Sequence, residues 1–164
     1  VAGESLRALA ERVHTICERD RVTVAVAESC TGGLLGDLLT DVPGASAWFA
    51  GGIVAYSNEA KSRLLGVAPE VIAAHGAVSA QVAQAMARGA RDRFCCQVSL
   101  AVTGIAGPGG GSAAKPVGLT YVALAGASGE QARRFHWSGD RRANKEASAE
   151  AALLMLLENL GEGE

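Results

Sequence analysis

A chain of 164 residues is long enough for one domain with its own core and too short for two of ordinary size. Apolar residues make up 49% and charged residues 20%, with a formal net charge of −2 and no long basic run, which argues against nucleic-acid binding as the main role. No apolar stretch approaches a membrane span and the N-terminal segment is unlike a signal peptide, so the expectation is a cytoplasmic protein with no membrane partner.

Residues 4–18 carry Leu6, Leu9, Val13 and Ile16 at helical spacing, with Arg7, Glu11, Arg12 and Glu18 between them, which predicts an amphipathic helix. TVAVAES (23–29) has no charge before Glu28 and predicts a buried strand. It runs through ESCTGG into the helical LLGDLLT, a strand–turn–helix whose backbone N–H groups would receive an anion. DVPGAS (41–46) is a loop, GGIVAY (51–56) a second strand, and SNEAKSRLLG (57–66) a short helix that stops at Gly66. A further helical piece spans 69–76, and Ser79 is a good N-cap for a helix over 80–94. QVSLAVTG (97–104) predicts a third buried strand, followed by the glycine-rich loop 105–118. Segments 118–125 and 131–138 read as a hairpin, the second alternating Arg134 and His136 against Phe135 and Trp137. Asp140 then caps a long helix over roughly 141–160.

Aromatic residues are only 4% while glycines number 21, so the core must come from Val, Leu, Ile and Ala, which suits close helix–sheet packing. The expected fold class is α/β: a single three-layer α/β/α domain over 1–164, with a sheet that the hairpin makes mixed. Because the chain begins with Val, it fits either a processed protein or a piece of a longer one. The exposed hairpin edge leads to the expectation of a homodimer.

Cys17, Cys30, Cys95 and Cys96 show no CxxC spacing, and His14, His75 and His136 do not cluster. Reduced cysteines packed as small apolar groups are expected, with no metal site and no cofactor.

Three residues in Gly44–Lys61 stand out for chemistry. Ser46 lies in GASAW, which has Trp48 where a nucleophile elbow needs its second glycine, so an α/β-hydrolase triad is disfavoured. A loop serine more often makes a turn hydrogen bond than a covalent intermediate. Lys61, Lys115 and Lys145 are the only lysines among 15 Lys and Arg residues, and a chain that prefers Arg on its surface has reason to keep Lys where a titratable amine is needed. Lys61 falls in the first turn of its helix, where the dipole disfavours an ammonium and, with partial burial, lowers its pKa. From spacing alone, pairing with Glu59 on a solvated face is the commoner fate of such a lysine. Tyr56, closing a strand, either packs with its hydroxyl at the rim or orients Lys61 or substrate.

The loops ESCTGG and TGIAGPGGG both follow a strand, and in open α/β sheets ligands gather beyond the strand C-termini. Neither is a Walker A or a G-x-G-x-x-G. They point to a small anionic ligand such as a phosphate, with Arg141 and Arg142 as further candidates; the bland alternative is two turns, with Ser29 or Thr31 capping a helix.

Taken together, AESCTGG (27–33), PGASAWF (43–49), YSNEAK (56–61), HGAVS (75–79), TGIAGPGGGS with KPVG (103–112 and 115–118) and SGDR (138–141) resemble the C-terminal domain of CinA, the competence/damage-inducible protein, and its stand-alone relatives, the nicotinamide mononucleotide amidases. The resemblance covers about residues 6–158, and its six motifs in order are far more specific than any one. It implies a metal-free, cofactor-free Ser/Lys amidohydrolase of pyridine-nucleotide salvage that converts nicotinamide mononucleotide to nicotinic acid mononucleotide and ammonia. Carried onto this chain, it makes Ser46 the nucleophile, Lys61 the base and Tyr56 their neighbour. Ser29, Thr31, Gly32, Thr103, Gly104 and Arg141 fall in the pocket motifs, with Ser29 the competing nucleophile. Members often carry a second serine before the loop nucleophile; here that position is Ala45. The other reading is a nucleotide-binding or regulatory module of a longer CinA protein that binds without turnover.

Overall fold

A computed structural model describes residues 3–162, and Val1 lies outside them. Helix α1 (Leu6–Asp20) begins at Ser5, whose hydroxyl accepts from Ala8 N, and leads into strand β1 (Val24–Glu28). Helix α2 (Leu34–Thr40) and a 3-10 turn (Ala45–Ala47) precede strand β2 (Phe49–Val54). Helices α3 (Asn58–Leu65), α4 (Pro69–His75) and α5 (Ala80–Phe94) carry the chain to strand β3 (Val98–Gly104). The hairpin β4 (Leu119–Gly126) and β5 (Gly129–His136) is followed by helix α6 (Arg141–Asn159).

The sheet order is β2-β1-β3-β4-β5. β1 pairs in parallel with both β2 and β3, whereas β3–β4 and β4–β5 are antiparallel, so the sheet is mixed as expected. β1 lies between the strand that follows it and the strand reached by the long crossover. The chain therefore changes direction across the sheet at the β1/β3 boundary, where α/β folds open a crevice beyond the strand C-termini.

The two sheet faces differ in side-chain size, and this sets the layers. Val24, Val26, Leu100, Val102, Val122 and Leu124 meet residues of α1, α2 and α6 such as Leu9, Leu35 and Leu156. On the other face Ala27, Ala101, Ala123 and Ala125 meet Val82, Ala83, Met86 and Ala90 of α5. Alanines on both sides let α5 lie close to the sheet, and Ser99 Oγ donates to Ala87 O across that contact. The approach of α3 is closer still: a Cβ on Gly89 would stand 1.9 Å from Leu65 O, so only glycine fits there.

Two strand boundaries differ from the sequence reading. β2 starts at Phe49 and ends at Val54, because Val24 N bonds Trp48 O and the pairing begins one residue later; Tyr56 lies beyond the strand. β5 starts at Gly129, closing a two-residue turn against Gly126, and ends at His136. Trp137 leaves the sheet, stacks on Phe135 at 5.0 Å between centroids and donates from Nε1 to Ser148 Oγ on α6.

Candidate functional site

Beyond the C-terminal ends of β1 and β3 lies a cavity of about 260 Å³, walled by Ser29, Lys61, Thr103, Gly104, Arg141 and the Ala106–Gly110 loop among others. That is near the lower end for small-molecule sites, which run about 300–1,000 Å³. Lys61 reaches it from α3. Ser57 caps that helix by accepting from Ala60 N, which puts Lys61 at the fourth helical position, in the first turn. The side chain turns inward and is only 2% exposed. Its Nζ donates to Ser29 Oγ at 3.1 Å and to the main-chain carbonyl of Tyr56 at 3.2 Å. Burial pushes the Lys61 pKa down, since the ammonium loses water that a hydroxyl and a carbonyl replace only in part. Among the described residues no carboxylate lines the cavity to reverse that shift.

Ser29 is held by its own strand: it follows β1 directly, and its N–H bonds Val102 O on β3. Glu28, one residue earlier and 2% exposed, accepts from Leu35 N at 2.8 Å and Gly36 N at 3.0 Å. A carboxylate from the strand thus caps α2, so neither Ser29 nor Thr31 is the cap. This corrects the idea that the α2 N-terminus is open to an anion from outside. Cys30 also borders the cavity, and burial raises its thiol pKa to about 11, leaving it an inert packing group at neutral pH.

Ser46 is not in this cavity. It sits exposed in the 3-10 turn before β2, whereas Tyr56 and Lys61 follow the other end of that strand. Six residues at about 3.3 Å each separate the two ends by on the order of 20 Å. The expected pairing of Ser46 with Lys61 is therefore corrected, and the serine that meets the lysine is Ser29. The PGASAWF segment has a packing role instead: Trp48 is 2% exposed and donates from Nε1 to His14 Nδ1 at 2.9 Å, fixing the turn to α1.

The other expected residues divide. Thr103 lines the cavity and donates to Ala77 O at 2.9 Å, tying β3 to the segment before α5. Gly104 must be glycine, since a Cβ there would lie 2.6 Å from Thr120 Oγ1. Arg141 bridges the mouth, donating to Gly107 O at 2.7 Å and to Tyr56 Oη at 3.1 Å. Tyr56 is 61% exposed, so its ring is a rim group and not core; it reaches Lys61 through its carbonyl alone. Thr31 and Gly32 belong to the turn behind the cavity and do not line it. Lys115, one of the three scarce lysines, had no role assigned from the sequence: its Nζ donates to His75 O and to Val78 O, fastening the glycine-rich loop to the opposite wall. Its rarity among the basic residues was the available signal.

The model of the CinA C-terminal domain matches residues 6–160. The chain belongs to the CinA C-terminal domain family. A CinA-like protein of Chlorobaculum tepidum is 55% identical over 157 residues, covering 93% of this chain and 37% of that protein. Another, of Acidobacterium capsulatum, is 51% identical over 158 residues, covering 96% and 37%. The chain thus spans well under half the length of these curated relatives. Among solved structures, the competence/damage inducible protein CihA of Agrobacterium tumefaciens superposes with a TM-score of 0.92 at 41% identity, over 96% of this chain and 97% of that one. A CinA superfamily protein of Klebsiella pneumoniae gives 0.93 at 30% identity, over 98% and 100%. These CinA structures share the α/β fold with its mixed five-stranded sheet.

Proposed function

We propose that this CinA domain is an amidohydrolase that deamidates nicotinamide mononucleotide, with Ser29 as nucleophile and Lys61 as general base. The observation that carries the reading is the buried Lys61 Nζ, 3.1 Å from Ser29 Oγ, with no carboxylate on the cavity wall among the described residues. Desolvation favours the neutral amine, and a neutral amine is what a base must be.

The chemistry balances as follows. The Lys61 lone pair takes the Ser29 hydroxyl proton while Oγ bonds to the carboxamide carbon. The tetrahedral intermediate collapses, the C–N bond breaks, and the Lys61 ammonium returns the proton to the departing nitrogen as ammonia. Water, deprotonated by the same amine, then attacks the Ser29 ester, releasing the carboxylate product and restoring the serine. The Tyr56 carbonyl keeps Nζ aimed at Ser29. Gly107, Gly109 and Gly110 line the cavity and their N–H groups bond no acceptor among the described residues, which leaves them free to serve an oxyanion. The cationic pyridinium of the substrate makes its amide more electrophilic and keeps the adjacent lysine neutral.

The test is ammonia release from nicotinamide mononucleotide by purified protein, lost in Lys61→Ala. The second reading, a module that binds nucleotide without turnover, draws on the larger relatives, of which this domain covers 37%. Tight binding of the mononucleotide with no ammonia formed would favour it.

A further inference from the structure

The glycine-rich loop is gripped from behind. Ala106 and Gly107 line the cavity of Ser29 and Lys61, and Ala106 also borders a second hollow lined by Pro108, Val117 and Gly139 at the start of α6. This stretch of main chain is therefore a partition, with the reacting groups on one side and α6 on the other. Both of its carbonyls are taken from the α6 side. Ala106 O accepts from Asn144 Nδ2 at 3.0 Å, and Gly107 O accepts from Arg141 at 2.7 Å.

Asn144 does not line the cavity; it is 2% exposed, in the first turn of α6. Its amide is spent on main-chain partners, Oδ1 accepting from Gly139 N at 3.0 Å while Nδ2 donates to Ala106 O. An N–H only donates and a carbonyl only accepts, so the side-chain amide has one orientation here. The close fit depends on Gly139, where a Cβ would fall 2.7 Å from Ala143 Cβ and 3.2 Å from Asn144 Oδ1. A trans peptide carries its C=O and its N–H on opposite sides of the C–N bond. With Ala106 O drawn to α6, the N–H of the same peptide, that of Gly107, points away from α6 and toward the cavity. That N–H bonds no acceptor among the described residues.

We infer that Asn144 is a positioning residue for the amidase reaction: by holding Ala106 O it aims the Gly107 N–H at the oxyanion that forms on the carboxamide carbon. The inference rests on the amidase reading. An oxyanion donor lowers the barrier only if its direction is set before the charge develops. A glycine peptide has little side-chain restraint on its rotation, so that direction must come from a neighbour.

Two variants test it. Asn144→Asp keeps an oxygen for Gly139 N but has no donor for Ala106 O; Asn144→Ala removes both contacts and buries no charge. In both, kcat on nicotinamide mononucleotide falls by about tenfold or more while KM stays within about threefold. Urea unfolding verifies that both variants are folded under the assay conditions. Trp137→Phe, which removes the Nε1 hydrogen bond to Ser148 elsewhere on α6, keeps kcat within about twofold.

A second measurement needs no turnover. Pyridine-3-boronic acid puts boron where the substrate has its carboxamide carbon: Ser29 Oγ bonds to boron, the hydroxyl proton passes to Lys61, and boron becomes a tetrahedral anion. Nicotinamide has the same ring with a planar amide. By calorimetry both Asn144 variants lose about tenfold or more in affinity for the boronic acid and no more than about threefold for nicotinamide. Unchanged kcat in both variants, equal losses for the two ligands, a Trp137→Phe loss as large as that of Asn144→Ala, or no boronic acid binding by wild type overturns the inference. Ammonia release that the Asn144 substitutions leave intact overturns the inference alone and spares the amidase reading. If wild type releases no ammonia, that reading falls, and the selective loss of boronic acid affinity alone upholds the role of Asn144.

Discussion

Lys61 Nζ and Ser29 Oγ stand 3.1 Å apart although 32 positions separate them in the chain. The contact exists because β1 and β2 are parallel neighbours, so the residues following both strands emerge at the same edge of the sheet. One group is the hydroxyl of a residue whose main-chain N–H is tied to β3, the other an amine whose burial favours its neutral form.

That protonation state fixes the direction of the pH–rate profile. With Lys61 as base, kcat/KM rises with pH and levels off above an apparent pKa lower than the ordinary lysine value of about 10.4. Lys61→Arg keeps the charge but does not deprotonate in the accessible range, so its activity falls by at least about a hundredfold. A profile flat from mildly acidic to alkaline pH contradicts a lysine base.

Stability carries the same sign. The folded state lowers the Lys61 pKa, so between that value and the unfolded value the unfolded chain binds more protons. Stability therefore rises with pH across that window, and below the folded pKa this contribution stays at its most unfavourable. Lys61→Met removes the group that titrates differently in the two states. Denaturant unfolding at a series of pH values should show a smaller alkaline rise in the variant than in wild type.

Tyr56 touches Lys61 only through its carbonyl, which no side-chain substitution removes. Its hydroxyl accepts from Arg141 at the cavity mouth. Tyr56→Phe should therefore raise KM by roughly tenfold or less, through a freed Arg141, with a smaller change in kcat. Steady-state kinetics separate the two, and a loss confined to kcat would instead give the hydroxyl a part in proton transfer.

Glu28 supports the site without lining the cavity. It is buried, caps α2 with both oxygens and directly precedes Ser29. Glu28→Ala leaves two amides unpaired and should cost about 2–3 kcal/mol by urea unfolding. Glu28→Gln, which keeps one acceptor, should cost less.

Much of the fold was legible because the signals were local. Ser79 and Asp140 are N-caps as their positions suggested, and α5 begins and ends where the sequence pattern places it. The alanine-rich face that admits α5 follows from a composition poor in aromatics. The site was half legible. Scarcity singled out Lys61, and the strand–turn position singled out the Ser29 loop. Ser46 misled because it is only 15 positions from Lys61, yet the intervening segment runs as an extended strand that carries its ends apart. Which serine meets the lysine depends on strand order and direction, and periodicity within one strand carries neither. Lys115 acts through the loop carbonyls of His75 and Val78, contacts whose only trace in the sequence is the scarcity of lysine.

The most direct measurement of the Ser29–Lys61 assignment is ammonia release from nicotinamide mononucleotide by two serine variants compared with wild type. Ser29→Ala should lose at least about a thousandfold in kcat, while Ser46→Ala, altering an exposed turn at the far end of β2, should stay within about twofold of wild type. Near-normal turnover by Ser29→Ala, with loss in Ser46→Ala, would contradict the account.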